Sequence, residues 1–204
     1  MSVKHSINHL GITLLRAADP RVRRIRRRQS RACAHGNKVW RSSLVMMDYL
    51  VDNPPLANSC ALDLGCGWGA LAVHLAVNFD AQVTALDIDP RVESLVKLHA
   101  NINDCDVNFV VGDLATIGTA ELATYTVIVG ADICFWDEII EPLFELIIHA
   151  RELNRPTILI ADPGRPPFWT LADRCVAELG AEVISRTIYD PWRTQKFILR
   201  IADE

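Results

Sequence analysis

Short apolar runs alternate with longer segments of helical apolar spacing along most of this chain, and the alternation predicts its secondary structure. Strands are predicted at residues 60–64, 82–87, 107–111, 125–131 and 157–161. Helices are predicted at residues 39–51, 70–78, 90–101, 137–153 and 167–179. Strands and helices that alternate at this spacing form a parallel sheet with helices on both faces.

The end of the chain breaks this alternation. Residues 181–188 and 195–201 are two strand-like runs, and residues 189–194 between them are too few for a crossover helix. Two strands joined in this way pair as an antiparallel hairpin. The predicted fold class is therefore α/β: a doubly wound sheet of seven strands, mostly parallel, with a C-terminal antiparallel hairpin at one edge.

Composition fits one domain with a sizeable core, because the chain has 204 residues of which 50% are hydrophobic. No apolar run reaches the roughly 18 residues that a membrane span needs, so no membrane span is predicted. The six cysteines contain no Cys-x-x-Cys pair, and we predict reduced thiols and no metal site. We expect a cytoplasmic protein, or a mitochondrial one if the chain is eukaryotic.

Charge is distributed unevenly, since residues 1–41 carry a net charge of +10 and the remainder carries −14. We define residues 1–38 as a basic N-terminal arm, with most of its arginines between Arg21 and Arg31. Such a cluster suits RNA, an acidic protein or anionic lipid as a partner. A solvated helix face that packs against the acidic remainder is an alternative.

The most informative motif spans residues 62–72, where Gly65, Gly67 and Gly69 alternate with other residues after Asp63. Glycine has no Cβ, so the backbone can turn sharply and approach a ligand closely. Asp87 closes the next predicted strand, eighteen residues after the last of these glycines. A glycine turn followed by a distant acid predicts a nucleotide site beyond the carboxyl ends of the strands.

Two classes of nucleotide site fit this motif. Gly65-x-Gly67-x-x-Ala70 also satisfies the looser pattern of dinucleotide oxidoreductases, and the glycines alone do not decide. Glycines that serve only a tight turn are a third interpretation. Asp63 before the turn, Asp113 after the third strand and a chain too short for a separate substrate domain favour a methyltransferase.

With its terminal hairpin, the chain resembles the class I, Rossmann-like S-adenosylmethionine-dependent methyltransferases. The resemblance implies S-adenosylmethionine as cofactor, with Asp87 on the ribose hydroxyls, Asp113 at the adenine amino group and Asp63 orienting the methionine moiety. The cofactor-binding residues expected from it are Trp40, Asp63, Gly65, Gly67, Gly69, Asp87, Ile88, Asp113, Leu114 and Ala131.

Residues 130–138 and 161–168 resemble, more narrowly, the lysine methyltransferases of the electron-transfer flavoprotein beta subunit. That group has Asp-x-x-Tyr after the fourth strand and Asp-Pro-Gly-Arg-Pro after the fifth, where this chain has Asp132-x-x-Phe135 and Asp162-Pro-Gly-Arg165. The resemblance implies Asp132 and Phe135 as catalytic residues, although the phenyl ring lacks the hydroxyl. Trp136, Asp162 and Arg165 are the expected substrate residues.

We therefore expect residues 39–204 to form a methyltransferase domain that acts on a protein lysine amine. The alternatives are an N- or O-methyltransferase for a small molecule, and a non-catalytic cofactor-binding module that recruits RNA or protein through the basic arm.

Overall fold

A computed structural model describes residues 5–29 and 38–203 of the chain. The strands are β1 Ser6–His9, β2 Ile12–Leu15, β3 Cys60–Leu64, β4 Gln82–Asp87, β5 Asn108–Val111, β6 Val127–Ala131, β7 Thr157–Asp162, β8 Glu182–Ile188 and β9 Thr194–Ile201. The α-helices are α1 Pro20–Arg27, α2 Arg41–Asp52, α3 Ala70–Phe79, α4 Glu93–Ile102, α5 Thr119–Leu122, α6 Ile140–Leu153 and α7 Pro166–Leu179. None of the helices in this part of the chain has the length and apolar character needed to cross a membrane.

The main sheet confirms the predicted fold class. It has seven strands in the order β5-β4-β3-β6-β7-β9-β8, and β3 to β7 pair in parallel. The strands of the C-terminal hairpin pair with each other, and β9 also pairs antiparallel with β7. The order of strands reverses between β3 and β6, which is where sheets of this kind bind ligands.

An apolar layer packs on each face of the sheet, so the central strands are buried on both faces. The helices α2, α3 and α4 contribute to the first layer, and α6 and α7 contribute to the second. The helix predicted from residue 90 has a side-chain cap at Asp89, which accepts a hydrogen bond from the Arg91 amide at 2.9 Å, and a short 3-10 helix at Pro90–Val92 leads into α4.

Residues 5–29 form the hairpin β1–β2 and the helix α1, elements that the sequence analysis did not predict. The Leu15 amide donates to Nε2 of His99 in α4 at 2.9 Å. The Thr13 amide donates to Oδ1 of Asn103 at 2.7 Å, and Nδ2 of Asn103 donates to the Thr13 carbonyl at 2.9 Å. This part of the predicted arm is therefore docked on the domain through apolar and polar contacts, whereas residues 1–4 and 30–37 of that arm lie outside the described residues.

Arginines cover the outer side of α1. Its buried residue is Val22, while Arg23, Arg24, Arg26 and Arg27 are exposed. This distribution fits the interpretation of a solvated helix face that packs on the domain. Arg31, the last arginine of the predicted cluster, lies outside the described residues.

Candidate functional site

The glycine turn follows β3 at the point where the strand order reverses. Gly65 and Gly67 have φ values of +61° and +55°, a region that side chains with a Cβ rarely adopt. The Gly67 amide donates to Oδ2 of Asp87 at 2.9 Å, and the Asp89 amide donates to Oδ1 at 2.9 Å. Each carboxylate oxygen retains an acceptor site beyond these bonds. Burial raises the pKa of Asp87, and the Asp89 and Gly67 amides oppose that rise.

A cavity of about 630 Å³ opens beside this turn. We call it the first cavity, and its volume lies within the range typical of small-molecule sites. It brings together residues from the ends of β3, β4, β5 and β6 with the start of α2. The predicted site residues that line it are Trp40, Gly65, Gly67, Asp87, Ile88, Asp113, Leu114, Ala131, Asp132, Phe135 and Trp136.

Two predicted cofactor residues lie elsewhere. Asp63 is 2% exposed, and its Oδ2 accepts a hydrogen bond from the Ala72 amide at 3.1 Å. Burial raises the pKa of this carboxyl to about 8. Gly69 precedes α3 with a φ of +76°, and a Cβ there would lie 3.1 Å from a methyl group of Val96. Both residues thus contribute to the conformation of the turn, and neither lines the first cavity.

Asp132 follows β6 at the edge of the first cavity. Its Oδ1 accepts from Nη2 of Arg165 at 2.9 Å, and its Oδ2 accepts from the Ser42 amide in the first turn of α2 at 3.2 Å. The φ of Asp132 is +57°. A charged partner and a helix N-terminus therefore hold this carboxylate in place.

Asp162 was predicted to contact substrate, but its side chain is fully buried. Its Oδ1 accepts from the amides of Gly164 at 2.9 Å and Arg165 at 2.8 Å, and its Oδ2 accepts from Nη1 of Arg165. Burial raises the pKa of Asp162, and the Arg165 amide is the strongest opposing influence. Asp162 therefore positions Arg165, because a side chain enclosed by protein has no surface for a substrate.

Aromatic rings form the wall next to Asp132. Phe135 lies between Trp40 and Trp136, with ring centroids 5.4 and 5.6 Å away. The Arg165 guanidinium carbon lies 4.1 Å from the centroid of the Phe135 ring, a cation–π contact. The Phe135 ring is thus already in contact with a cation of the chain itself.

Sequence reasoning missed several residues that line the first cavity: Lys38, Ser43, Cys66, Trp68, Arg91 and Ile139. Cys66 and Trp68 fill the gaps between the motif glycines, so their proximity was open to prediction. Ser43 lies three residues after Trp40, about one helical turn, and this spacing was also a usable signal. The local sequence holds no comparable signal for Lys38 or Ile139.

The residues present fit S-adenosylmethionine. A Cβ added to Gly67 would meet no heavy atom within 4 Å, so the missing side chain leaves open space in the cavity wall. The Asp87 carboxylate stands beside that space with free acceptor sites for hydroxyl groups, and Asp113 lies farther along the same wall. The carboxylates at one end suit the nucleoside of the cofactor, and the aromatic rings at the other end suit its sulfonium cation.

Comparison with known proteins bears on the predicted resemblance. Residues 61–150 match the family model described as a methyltransferase domain. The electron transfer flavoprotein beta subunit lysine methyltransferase of Homo sapiens is 27% identical over 130 residues, which are 63% of this chain and 49% of that protein. The ubiquinone biosynthesis O-methyltransferase of Xanthomonas campestris pv. campestris (strain B100) is 26% identical over 146 residues, covering 71% of this chain and 58% of that protein.

Solved structures agree on the fold. The precorrin-6y C5,15-methyltransferase from Geobacter metallireducens GS-15 superposes with a TM-score of 0.61 at 12% identity, over 87% of this chain and 96% of that chain. This likeness concerns the arrangement of the sheet and its helices. The chain spans about half the length of the lysine methyltransferases that it matches.

Proposed function

Since the chain carries a class I S-adenosylmethionine-dependent methyltransferase domain, we propose that it transfers the methyl group of S-adenosylmethionine to an acceptor bound beside Asp132. One observation carries the proposal. Asp132 lines the first cavity and also a second cavity of about 400 Å³, so its carboxylate stands where a cofactor and an acceptor would meet.

The first cavity supplies the cofactor contacts of the proposal. Asp87 accepts the ribose hydroxyls and Asp113 meets the adenine, while the turn at Gly65 and Gly67 lets the backbone approach the cofactor. When bound, S-adenosylmethionine supplies a methyl group whose bond to the sulfonium sulfur breaks as the acceptor lone pair forms the new bond, leaving S-adenosylhomocysteine. Such a transfer depends mainly on positioning.

In this proposal, the Asp132 carboxylate orients the methyl acceptor. Its carboxylate is fixed by Arg165 and by the Ser42 amide, and each oxygen retains an acceptor site for a donor hydrogen of the acceptor. A fixed negative charge also stabilises the positive charge that develops on an amine during methylation. Phe135 and Trp40 exclude water on one side of this point.

A protein lysine amine is the acceptor class that we propose first. It is supported by the Asp132-x-x-Phe135 and Asp162-Pro-Gly-Arg165 segments and by the lysine methyltransferases among the relatives. A small molecule is the second candidate, supported by the O-methyltransferase relative and by the volume of the second cavity, about 400 Å³. The recruiting role of the basic arm, its boundary at residue 38 and a cytoplasmic location stay predictions.

Incubation with tritiated S-adenosylmethionine and cell lysate separates these possibilities. The proposal predicts label in a protein band for a lysine acceptor, or in the small-molecule fraction for the second candidate. The same assay with Asp132→Asn provides the matched control, because only label that depends on Asp132 reports transfer at this site. Absence of label from both fractions, with S-adenosylmethionine binding intact, would favour the non-catalytic module.

A further inference from the structure

The second cavity adjoins the first and shares a wall with it. Both are lined by Lys38, Val39, Trp40 and Asp132. The remaining walls come from the hairpin β1–β2 and the residues after it, the start of α2, the loop after β7, and the loop between β8 and β9 with the start of β9. A molecule in this cavity would therefore lie directly across Asp132 from the cofactor position.

Positive charge dominates this cavity. The cations that line it are Arg16, Lys38, Arg41, Arg165 and Lys196. Asp132 is the one acid among the lining residues, and Arg165 already pairs with it. Within residues 5–29 and 38–203, the other four cations have no carboxylate within 4.0 Å. The cavity thus concentrates unpaired positive charge in a protein whose net charge is −4.

Aromatic surface accompanies the charge. The guanidinium carbons of Arg16 and Arg41 lie 5.7 and 5.2 Å from the centroid of the Trp192 ring. The Trp192 Nε1 atom is buried and has no acceptor among the described residues. A buried N–H group without an acceptor is unfavourable. An oxyanion bound here would offer an acceptor to this indole and opposite charge to the arginines on its ring.

We propose that the second cavity binds a carboxylate or phosphate group of the methyl acceptor. The identification of the ligand as the acceptor rests on the proposed function, whereas the preference for an oxyanion rests on the cavity alone. Four unpaired cations repel a bare ammonium group. A lysine acceptor would therefore carry an acidic neighbour, and a small-molecule acceptor would itself be an acid.

Four probes with the same ring test the preference: benzoate, phenyl phosphate, benzyl alcohol and benzylamine. Nuclear magnetic resonance spectra report binding through the Trp192 indole N–H signal, which the Trp192→Phe variant assigns. We expect benzoate or phenyl phosphate to shift this signal saturably, and the tighter of the two identifies the oxyanion. Equal or tighter binding of benzyl alcohol or benzylamine would overturn the proposal.

Variants locate the site. Arg41→Gln and Arg16→Gln should each weaken oxyanion binding about tenfold, the effect of losing one charge-assisted hydrogen bond. Arg23→Gln on the exposed side of α1 is the matched control and should leave the affinity unchanged. Unchanged affinity in both cavity variants would overturn the assignment. If these variants fail to fold, the ranking of the four probes on the unaltered chain decides.

Failure of this proposal is distinguishable from failure of the proposed function. S-adenosylmethionine binding is read in the same spectra from the Gly67 amide. If the chain binds the cofactor and transfers label but binds benzyl alcohol more tightly than benzoate and phenyl phosphate, only the proposal of an oxyanion site fails. If the chain binds benzoate through Arg16 and Arg41 but transfers no label, the oxyanion site stands and the proposed reaction fails.

Discussion

Arg165 and Asp132 are 33 residues apart in the chain, and Nη2 of Arg165 donates to Oδ1 of Asp132 at 2.9 Å. Through Nη1 the same guanidinium donates to Oδ2 of the buried Asp162. This contact joins the loop after β6 to the loop after β7, at the wall between the two cavities. The geometry of Asp132 therefore depends on two neighbouring strand ends.

Replacing Asp132 tests its role in transfer. In Asp132→Asn the shape of the side chain is retained and its negative charge is lost. We expect methyl transfer to fall about a hundredfold, the usual cost of removing one fixed electrostatic partner of a transition state. S-adenosylmethionine affinity should change little. Initial rates and calorimetric titration measure the two effects.

Asp137→Asn is the control for that substitution, because Asp137 is an exposed carboxylate five residues later and lines neither cavity. Its transfer rate should equal that of the unaltered chain. A similar rate loss in both variants would mean that general charge, rather than the position of Asp132, sets the rate.

Lysine in place of Arg165 should reduce stability. A guanidinium can bind Asp132 and Asp162 at once, whereas an ammonium group lacks the planar fork that reaches both. We expect Arg165→Lys to lower the free energy of unfolding by about 2 kcal/mol, somewhat less than complete removal of a buried ionic partner costs. Urea unfolding measures it, with Arg193→Lys in an exposed loop as control. Equal stability of the two variants would show that the double contact contributes nothing.

Alanine at Gly67 separates backbone strain from cofactor binding. Gly67 and Gly11 both have positive φ values, and an added Cβ meets nothing within 4 Å at either position. Each Gly→Ala variant should lose about 1 kcal/mol of stability from strain. Only Gly67→Ala should also lose S-adenosylmethionine affinity, since Gly11 lies outside the first cavity. Equal cofactor affinity in the two variants would contradict the assigned position of the cofactor.

Acid should weaken the docking of the N-terminal hairpin through His99. Burial lowers the pKa of His99 to about 4, and its Nε2 accepts from the Leu15 amide. The unfolded pKa is about 6.5, so the unfolded chain binds more protons between those values and stability falls as pH decreases. Between pH 7 and pH 5 this histidine should contribute a loss of about 2 kcal/mol.

The comparison of His99→Gln with the unaltered chain isolates that contribution. The variant should be less stable at pH 7, but it should lose less stability on acidification. His149→Gln changes a histidine whose Nε2 lies 3.2 Å from the exposed Thr119 hydroxyl, and it should retain the full pH dependence. Identical pH dependence in all three chains would exclude His99 as the cause.

Local pattern predicted the main sheet because each central strand is a short apolar run with a helix after it. The hairpin β1–β2 escaped prediction for a physical reason. Its strands have only four residues each and lie within a basic segment, and their burial depends on Asn103 and His99 far along the chain. Contacts over such separations leave no periodic signal in the sequence.

The candidate site was likewise predictable from local sequence only in part. Gly65, Gly67 and Asp87 were found because a ligand-facing backbone requires glycine and a strand-end acid. The motif did not separate these ligand-facing residues from Asp63 and Gly69. Spacing along the chain does not show which residues line the cavity and which ones only hold the conformation of the turn. The second cavity was not anticipated, because its cations come from four separate segments that only the fold brings together.

Calorimetric titration of the chain with S-adenosylmethionine and, separately, with NAD tests the central claim most directly. The first cavity, with Asp87 beside the turn at Gly67, predicts saturable binding of S-adenosylmethionine at one site and no comparable binding of NAD. Binding of NAD without binding of S-adenosylmethionine would contradict it and would restore the dinucleotide interpretation of the same glycines.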